Sequence, residues 1–529
     1  MVRGRRRRLA LAVAALVAPA LWGCGPRETV YQLRLVTTSC TGPSPMEGVT
    51  HFLFRVTGEG LDPIDVTTLA TTRQLQLPPI PVGNHRAVEV RAYAGEPKAG
   101  GRLVSLGRSL AFDVPEVPLT LAQDLTVFVR PVNMLTPINL SLSPQSCARM
   151  GYPHAGHSAT VMKDGKVLLA GGYEINPASG ERVASAHAEL FDPATGGFSD
   201  LPDLSFVDAQ QRTVLTPRAF HSGTLVAGSS GKVLLAGGEV YVPGGVTPQP
   251  QGTALLFDPQ ARAYTLVPMR LERSQHGAAA DSGGRILLLG GITAGGALAQ
   301  SLEWFNPTQS QFTDVPAQQL SRVQMGVSAV QGGRFVAVAG GSTGAAVTSE
   351  VRLYGWDTSA FTFTVATTSQ LLEPRRAPAM SWVGDPTRLV ALGGYSNLNE
   401  ITGVSPLAST EVLATAPQVQ VSSGPNIAVA RGDACAATLA DGRLLFSGGR
   451  GVDFNMAARS MENVELVVQS STGGQPSVLG LPNLARGRYF HSCTTLQDGT
   501  VLIAGGEDKQ GTLVEVVQDA YVFTPAPLD

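Results

Sequence analysis

One stretch of eight residues, GKVLLAGG, occupies positions 165–172 and is repeated without change at positions 231–238. Aligned on the double glycine, the chain holds seven related apolar runs spaced 50 to 66 residues apart. A sequence unit with such a period is a supersecondary element that stacks against its neighbours. The repeat therefore predicts seven similar units, whose apolar runs end at Gly172, Gly238, Gly291, Gly341, Gly394, Gly449 and Gly506.

Each apolar run is expected to be a β-strand that is buried on both faces. The runs are continuous rather than alternating, which is typical of strands whose two faces are both covered. Asp-Gly turns, which are common in hairpins, precede several runs, as at Asp164-Gly165 and Asp498-Gly499. The chain of 529 residues contains 60 Gly and 36 Pro, which suits many tight turns, and it has no long amphipathic helical pattern. We therefore expect an all-β protein.

Further residues recur around each run. An Arg-x-x-His pattern precedes it in three copies, at Arg218–His221, Arg273–His276 and Arg488–His491, and the first copy has His154–His157 instead. The other copies keep an arginine without the histidine, at Arg322, Arg375 and Arg431. A glutamate follows the run in six copies, at Glu189, Glu303, Glu350, Glu411, Glu465 and Glu515, with Leu255 in the second copy. An Asp-Pro or Asn-Pro turn comes next, and an aromatic residue follows six positions later, at Phe198, Tyr264 and Phe312.

Together these residues resemble the repeats of kelch-type β-propellers of the galactose-oxidase-like, seven-bladed family. The resemblance covers residues 148–529 and implies an all-β fold with a seven-bladed kelch propeller, in which each apolar run is the second strand of a blade. The double glycines then have a structural role, because glycine tolerates positive φ and close backbone approach. These structural glycines are Gly171, Gly172, Gly237, Gly238, Gly290, Gly291, Gly340, Gly341, Gly393, Gly394, Gly448, Gly449, Gly505 and Gly506.

The region before the repeats has a different pattern. Alternating apolar and polar residues, as in AVEVRAY at 87–93, predict an antiparallel β-sandwich of the immunoglobulin or transthyretin kind over residues 24–135. A proline-containing linker is expected at 136–147. The segment Ile138–Leu142 within it is a candidate closing strand for the propeller, and the alternative is that the last repeat completes its own blade.

The N-terminus predicts export. Residues 1–23 have a basic start and an apolar stretch typical of a signal peptide. They end in Leu-Trp-Gly before Cys24, which resembles the lipobox of bacterial lipoproteins and implies lipidation of Cys24 and an outer-membrane location. The other four cysteines allow three pairings, of which we favour Cys40–Cys147 and Cys435–Cys493 as disulfides in an oxidising compartment.

The chemistry-bearing residues do not single out one site. A net charge of −2 gives no footprint for nucleic acid. His157, His221, His276 and His491 occupy equivalent places, where three imidazoles would suit a metal ion, but one histidine per repeat is more typical of packing. The arginines and glutamates recur in most copies, which favours ion pairs within the fold. Copper-radical oxidases of the resembled family need a Cys–Tyr cross-link, and no Tyr–Cys pair stands at a suitable offset here.

We therefore expect a lipid-anchored propeller without metal, cofactor or catalytic residues. Long loops that differ from one another follow the double glycines, at 173–187, 239–252, 395–409 and 450–461. Such loops on a rigid scaffold are typical of binding surfaces. The expected function is a scaffold that binds an unknown protein or glycan, with the membrane contacted only through the lipid anchor. The alternative is a propeller enzyme that acts on carbohydrate, of the oxidase or mutarotase type.

Overall fold

The computed structural model describes residues 13–14, 31–72, 80–116, 123–228, 231–245, 247–398, 405–416, 418–469 and 474–528. Strands dominate this part of the chain, and its only helical segments are two 3₁₀ turns, Pro97–Ala99 and Ala294–Gly296. The prediction of an all-β protein is confirmed. No helix within the described ranges has the length and apolar composition needed to cross a bilayer. Cys24 and the rest of the proposed signal peptide other than 13–14 lie outside the described residues, so export and lipidation stay predictions.

The repeat region forms seven four-stranded antiparallel sheets, which we number 1 to 7 in chain order. Within each sheet the strands pair in the order first, second, third and fourth, and the second strand is the apolar run. Sheets 1 to 3 consist of Ser158–Val161, Val167–Ala170, Ala188–Asp192 and Gly197–Asp200; Ser222–Leu225, Val233–Ala236, Thr253–Asp258 and Ala263–Pro268; and Gly277–Ala280, Ile286–Leu289, Ser301–Asn306 and Gln311–Gln319.

The remaining sheets repeat this arrangement. Sheets 4 to 6 consist of Gly326–Val330, Phe335–Ala339, Glu350–Asp357 and Thr362–Gln370; Ala379–Val383, Asp385–Leu392, Thr410–Ala414 and Gln420–Ser423; and Cys435–Thr438, Leu444–Ser447, Val464–Val468 and Ser477–Leu481. Sheet 7 takes Ser492–Thr495, Val501–Ala504 and Ala520–Thr524, and its fourth strand is Met134–Pro137. The first strand of each sheet lies against the first strand of the next, and that of sheet 7 lies against that of sheet 1.

The apolar runs are continuous because each second strand is covered on both faces. In sheet 2, Val233 and Leu235 pack in a cluster shared with sheet 1. Leu234 and Ala236, which point the other way, pack in a cluster shared with sheet 3. All four side chains are essentially inaccessible to water. Burial of each valine or leucine contributes about 1.5–3 kcal/mol, so the seven second strands supply much of the core.

Sheet 7 joins the two ends of the repeat region. Met134 pairs with Thr524 and Pro137 with Tyr521, so a strand from before the repeats completes the sheet. The candidate closing strand, Ile138–Leu142, follows the paired strand and does not occupy this position, although Ile138 is buried in the core between sheets 7 and 1. The alternative, that the last repeat completes its own sheet, is wrong as well. The expected boundary between 135 and 136 falls inside the strand Met134–Pro137.

The strands of the last repeat also differ from those predicted from the sequence. Residues Leu513–Val516 form a hairpin with Glu507–Gln510 and are not the third strand of sheet 7. Tyr521, opposite Ile503, therefore stands where sheets 1, 3, 5 and 6 have the repeat glutamate. The assignment of Glu515 to that position is wrong, because the hairpin inserts between the double glycine and the third strand. Sheet 2 has Leu255 and sheet 4 has Arg352 at this place, so the assignment of Glu350 to it is wrong as well.

The described residues of the N-terminal region form two sheets that share one core. The smaller contains Val13–Ala14, Tyr31–Val36 and Gln123–Phe128; the larger runs in the order Leu61–Leu69, His51–Gly58, Gly83–Ala94, Arg102–Arg108 and Arg130–Pro131, with Phe112–Val114 paired to Gly83–Ala94. Leu33 and Val127 of the smaller sheet pack with Phe54 and Val90 of the larger. A disulfide between Cys40 and Cys147 ties this region to the chain just before sheet 1.

In the described part of the repeat region, five two-stranded hairpins lie outside the seven sheets. Four of them begin directly after a double glycine and therefore lie at one end of the second strands. They are Tyr173–Ile175 with Arg182–Ala184, Glu239–Val240 with Gln249–Pro250, Arg450–Val452 with Ala458–Ser460, and Glu507–Gln510 with Leu513–Val516. The fifth joins Ser205–Val207 to Thr213–Leu215. The four hairpins place variable residues beside the start of the first strands, where the candidate site lies.

Candidate active site

The recurring arginines and glutamates hold the sheets together. Arg218 is fully buried, and its Nη1 donates to the carbonyl oxygens of Gly237 and Thr253 at 2.9 Å each. In sheets 3, 5 and 6 the arginine also pairs with the repeat glutamate, as Arg431 does with Glu465 at 2.6 Å. In sheet 1, His154 takes the place of the arginine, and its Nε2 lies 3.2 Å from Oε1 of Glu189. These residues are parts of the fold, as the sequence predicts for a feature that recurs in most repeats.

The four equivalent histidines also have partners between sheets rather than a common centre. His221 Nε2 lies 2.8 Å from the Ser158 hydroxyl of the preceding sheet, and His276 Nε2 lies 2.9 Å from that of Ser222. His157 likewise contacts Ser492, which links sheet 1 to sheet 7. Burial lowers the pKa of His157 and of His276 to about 3, so both rings are neutral near pH 7. His491 differs, because its Nε2 lies 2.9 Å from the Sγ of Cys435.

A ring of seven residues precedes the first strands, and we call it the rim. Each rim residue has φ between +48° and +61°. Within the described residues, six backbone hydrogen bonds run from rim residue to rim residue, such as Phe220 N–H to Gly156 O at 2.8 Å and Gly156 N–H to Phe490 O at 2.9 Å. The side chains of the rim are therefore gathered at one place, and the rim consists of Gly156, Phe220, Gln275, Gln324, Ala377, Asp433 and Phe490.

A cavity of about 330 Å³ opens among these side chains. Phe220 and Phe490 pack edge to face with ring centroids 5.0 Å apart and supply an apolar wall. Polar groups line the rest, and a pocket of mixed apolar and polar lining is the usual form of a small-molecule site. The residues of its wall that matter below are Arg182, Phe220, Gln275, Gln324, Asp433 and Phe490.

Asp433 is the carboxylate that lines the cavity. It accepts a hydrogen bond from the Tyr395 hydroxyl at 2.9 Å and pairs with Arg450 Nη2 at 3.0 Å. Tyr395 is fully buried, and burial together with the Asp433 charge raises the pKa of its hydroxyl well above the usual value. A tyrosine that stays protonated is a permanent donor to the carboxylate, so Asp433 is held in one orientation.

Arg182 is the cation that lines the cavity. Its Nη2 donates to Glu507 Oε2 at 3.0 Å, and its guanidinium lies 4.4 Å from the ring centroid of Tyr173. The hydroxyls of Tyr173 and Tyr489 both donate to the buried Glu507 carboxylate. Burial alone would lower the pKa of Arg182, but the neighbouring Tyr173 and Glu507 raise it overall. Glu507 thus fixes the charge and the position of Arg182.

A third carboxylate lies behind the polar wall and acts on it through Gln275. Glu239 accepts from the Tyr241 hydroxyl at 2.9 Å and from the Gln275 side-chain amide at 3.3 Å. Gln275 is a rim residue, so Glu239 orients an amide that faces the cavity. The three clusters differ from one another, which gives the site the asymmetry that a catalytic centre requires.

The loops expected to form a binding surface carry Tyr173, Arg182, Glu239, Tyr395 and Arg450, but the sequence analysis singled out none of these side chains, because it searched for chemistry at the recurring positions. Most of the site residues stand in two columns of the repeat that vary from copy to copy, and Arg182, Tyr241 and Tyr489 stand outside both. One column is the rim, and the other is the residue after each double glycine, which is Tyr173, Glu239, Ile292, Ser342, Tyr395, Arg450 or Glu507. Isolated β-bridges join this second column to the residue before the rim in every repeat, as between Tyr489 and Glu507. In the sequence, the site is indicated by polar and aromatic residues at repeat positions that vary from copy to copy and lie next to positions that do not vary.

Both expected cysteine pairs are disulfide-bonded in the structure. Cys40 and Cys147 join the N-terminal region to the chain before sheet 1. Cys435 and Cys493 join the first strands of sheets 6 and 7 beside the rim. All fourteen repeat glycines have positive φ.

Comparison with known proteins points to the fold. No protein-family model matches the sequence, and no curated protein is significantly similar to it. Among solved structures, a fungal alcohol oxidase of the AA5 family in complex with copper is similar, with a TM-score of 0.52 and 17% identity, over 74% of this chain and 76% of the oxidase. A structure of YjhT aligns with a TM-score of 0.44 and 12% identity, over 71% of this chain and 96% of YjhT.

The residues at the cavity do not fit the copper ion of that oxidase. Copper(II) in proteins favours imidazole and other nitrogen or oxygen donors with open access to the ion. Among the described residues, the imidazoles of His157, His221 and His276 are turned to serine hydroxyls between the sheets. His491 is the one imidazole on the cavity wall, and its Nε2 lies 2.9 Å from the Cys435 sulfur, so a second imidazole ligand is lacking there. The carboxylates at the cavity are paired with guanidinium or tyrosine hydroxyl groups, and a cation beside Arg182 or Arg450 would be repelled. The donor set therefore suits proton transfer and not a copper centre.

These findings correct the expected function. The expected protein- or glycan-binding scaffold is wrong, because a solved structure with a similar fold is an enzyme, an alcohol oxidase. The alternative, a propeller enzyme that acts on carbohydrate, is taken up below as a proposal. The asymmetric clusters of Asp433, Arg182 and Glu239 agree with this correction. At 17% identity the likeness concerns the fold alone, and on that ground the chain has an all-β, galactose-oxidase-like fold.

Proposed function

We propose that the chain is an enzyme that acts on carbohydrate by proton transfer, of the mutarotase type. The observation that carries the proposal is Asp433, a carboxylate on the wall of a 330 Å³ cavity, held by the Tyr395 hydroxyl and by Arg450. A cavity of this size suits a small ligand such as a monosaccharide. Phe220 and Phe490 supply an apolar wall for the C–H face of a sugar ring, and the amides of Gln275 and Gln324 suit its hydroxyls.

The chemistry assigned to these groups is the opening and closing of a reducing sugar. The Asp433 carboxylate accepts the proton of the anomeric hydroxyl, and the bond between the anomeric carbon and the ring oxygen breaks. The guanidinium of Arg182 stabilises the negative charge that develops on the ring oxygen. The carboxyl of Asp433 then returns the proton to that oxygen, and closure on the other face of the carbonyl gives the other anomer. General acid–base catalysis of this kind contributes about 10²–10⁴-fold.

We also propose that the seven sheets are the blades of a closed kelch-type propeller with an N-terminal β-sandwich. The circular order of first-strand contacts, the hydrophobic clusters shared by successive sheets and the rim of backbone hydrogen bonds support the propeller. The core shared by the two N-terminal sheets supports the sandwich. In this arrangement the rim cavity is the mouth of the propeller axis, on the side of the four hairpins.

The proposal is tested by measuring the exchange of sugar anomers. Saturation-transfer NMR on a panel of reducing monosaccharides, neutral and acidic, should show faster exchange with the full chain than without it. Asp433→Asn keeps the shape of the side chain and removes its basicity, so the acceleration should fall about 100-fold or more. The matched control is Asp441→Asn, in the turn at the other end of the same first strand, where Asp441 binds Arg443. This variant should keep full activity.

Two results would overturn the proposal. One is anomer exchange that is equal with and without the chain for every sugar of the panel. The other is copper-dependent production of hydrogen peroxide from sugars or primary alcohols, measured after the chain has been loaded with Cu²⁺. The second result would show that the chain catalyses a copper-dependent oxidation, as an alcohol oxidase does.

A further inference from the structure

Three side chains beside the rim form a cluster that the proposed sugar chemistry does not use. They are Cys435 on the first strand of sheet 6, Cys493 on the first strand of sheet 7, and His491 directly before that strand. One sulfur or nitrogen atom from each lies within 4.8 Å of the others. His491 also lies on the wall of the rim cavity, so an ion has a route to the cluster from solvent.

We propose that the reduced chain binds one Zn²⁺ at Cys435, Cys493 and His491, and that the Cys435–Cys493 disulfide is the metal-free state of this site. Zinc is bound by thiolate and imidazole ligands, and two cysteines with one histidine form a three-ligand zinc site whose fourth position stays open. The sulfurs of a tetrahedral site lie about 3.8 Å apart. The Cα atoms of Cys435 and Cys493 are 5.7 Å apart, so rotation of the two side chains suffices to reach that spacing.

Departures from the repeat support the assignment. Where sheets 1, 2 and 7 place a serine at the start of the first strand, at Ser158, Ser222 and Ser492, sheet 6 places Cys435. A serine hydroxyl already satisfies the imidazole of the next sheet, as Ser222 does for His276 at 2.9 Å. The position of Cys493 is an alanine or glycine in sheets 1, 2, 3 and 6. Cys435 and Cys493 thus replace the serine and the small residue usual at these repeat positions, and both lie beside His491 between sheets 6 and 7.

The two states are linked by a balanced exchange. A dithiol or phosphine reductant supplies two electrons, and with two protons the disulfide becomes two thiols. Zn²⁺ then displaces the two thiol protons and forms two zinc–sulfur bonds, while His491 donates the lone pair of Nε2. Reoxidation removes two electrons from the two thiolates, restores the sulfur–sulfur bond and releases the ion. The metal and the disulfide are therefore mutually exclusive.

The test uses the full chain with Cys24, Cys40 and Cys147 replaced by serine, because two of the five cysteines then remain. Elemental analysis after phosphine reduction, exposure to Zn²⁺ and gel filtration should give one zinc per chain, and the oxidised chain should give none. Co²⁺ in place of zinc should produce a sulfur-to-metal charge-transfer band and the visible bands of a tetrahedral ion. X-ray absorption on the zinc form should show two sulfur ligands and one imidazole nitrogen.

Matched variants separate the site from adventitious binding. Cys435→Ser, Cys493→Ser and His491→Gln should each lose stoichiometric zinc and the cobalt charge-transfer band. His276→Gln is the control, since His276 has the equivalent place in sheet 3 with a serine partner, and it should bind zinc as the parent does. The proposal is overturned by a reduced parent that takes up no zinc, whether or not it stays folded by near-ultraviolet circular dichroism. Zinc that persists in the Cys435→Ser/Cys493→Ser variant, or an absorption spectrum without sulfur ligands, would also overturn it.

Discussion

Gly238 shows how a single repeat residue acts in the fold. Its φ is +99°, and a Cβ added there would lie 2.9 Å from both the Ala219 oxygen and the Cβ of His221. Its N–H donates to the carbonyl of Arg273 in the next sheet at 2.9 Å. The position therefore demands glycine for its conformation and for the close approach of two neighbouring segments.

The variant Gly238→Val should destabilise the chain by about 3 kcal/mol or more, since strained backbone and overpacking each cost 1–3 kcal/mol. Thermal or denaturant unfolding measures the loss. Gly480→Val is the control, because Gly480 lies in an exposed strand and an added Cβ would meet nothing within 4 Å. Equal stability of the Gly238 variant and the parent would contradict the role given to this glycine.

Prediction from sequence succeeded for residues whose role recurs and failed for those whose role does not. The double glycines appear in every repeat and the buried Arg–Glu pairs in sheets 3, 5 and 6, so alignment of the chain with itself exposes both. Asp433 has no counterpart of the same residue type in the other repeats, and Glu507 has one only in Glu239. Their role depends on neighbours that the fold brings from other repeats, such as Tyr173 beside Glu507. The sequence alone does not show that these side chains lie close together in the folded chain.

At the scale of the strand, the first strands are joined by buried imidazoles. His157 and His276 are neutral in the folded chain, with pKa values lowered to about 3 by burial, against about 6.5 in an unfolded chain. Between these pH values the unfolded state binds more protons than the folded state. The stability contributed by each neutral imidazole is therefore complete above pH 6.5 and is lost as the pH falls toward 3.

The expected result is a free energy of unfolding that falls with pH more steeply in the parent than in His276→Gln. The difference in slope should be about 1.4 kcal/mol per pH unit between roughly pH 4 and 6, for one proton per chain. Denaturant titrations at a series of pH values give this slope, and carboxylates common to both chains cancel. His85→Asn is the control, since the His85 side chain is 74% exposed, and it should keep the slope of the parent. Identical slopes in all three chains would show that His276 charges freely in the folded state.

The strands themselves were predictable to different degrees. The second strands were recognised because burial on both faces leaves a continuous apolar run. The closing strand was misplaced, because Met134–Pro137 has four residues, ends in proline and is no copy of any repeat unit. The last repeat was misread because LVEV resembles a third strand, while the hairpin that contains it is an insertion that only the pairing with Glu507–Gln510 identifies.

At the scale of the whole molecule, the fourth strand of sheet 7 decides where the repeat region can be cut. A chain of residues 148–529 lacks Met134–Pro137 and leaves the third strand of sheet 7 as a bare edge, with Val522, Phe523 and Thr524 no longer covered as in the full chain. Loss of about four backbone hydrogen bonds, at roughly 1 kcal/mol each, should cost about 4 kcal/mol. Unfolding midpoints and the tendency to aggregate measure the effect.

The matched control for this truncation is a chain of residues 132–529. It lacks the N-terminal sheets and the Cys40–Cys147 disulfide, as the shorter chain does, but it keeps the strand Met134–Pro137. It should be folded and should unfold at a clearly higher denaturant concentration. If both truncated chains unfold at the same concentration, the pairing of Met134–Pro137 with Ala520–Thr524 contributes nothing to stability.

Sheet 7 also delays part of the folding until late in synthesis, because its strands come from both ends of the repeat region. Met134–Pro137 leaves the ribosome about 400 residues before its partner Ala520–Thr524, an interval of roughly 20–80 s at ordinary translation rates. During that interval Met134–Pro137 has no partner strand. It is short and ends in proline, so it is a poor template for pairing with strands of other chains. A chain whose translation stops before residue 520 can never pair it. Pairing of Met134–Pro137 with Ala520–Thr524 is therefore among the last steps by which the repeat region can fold.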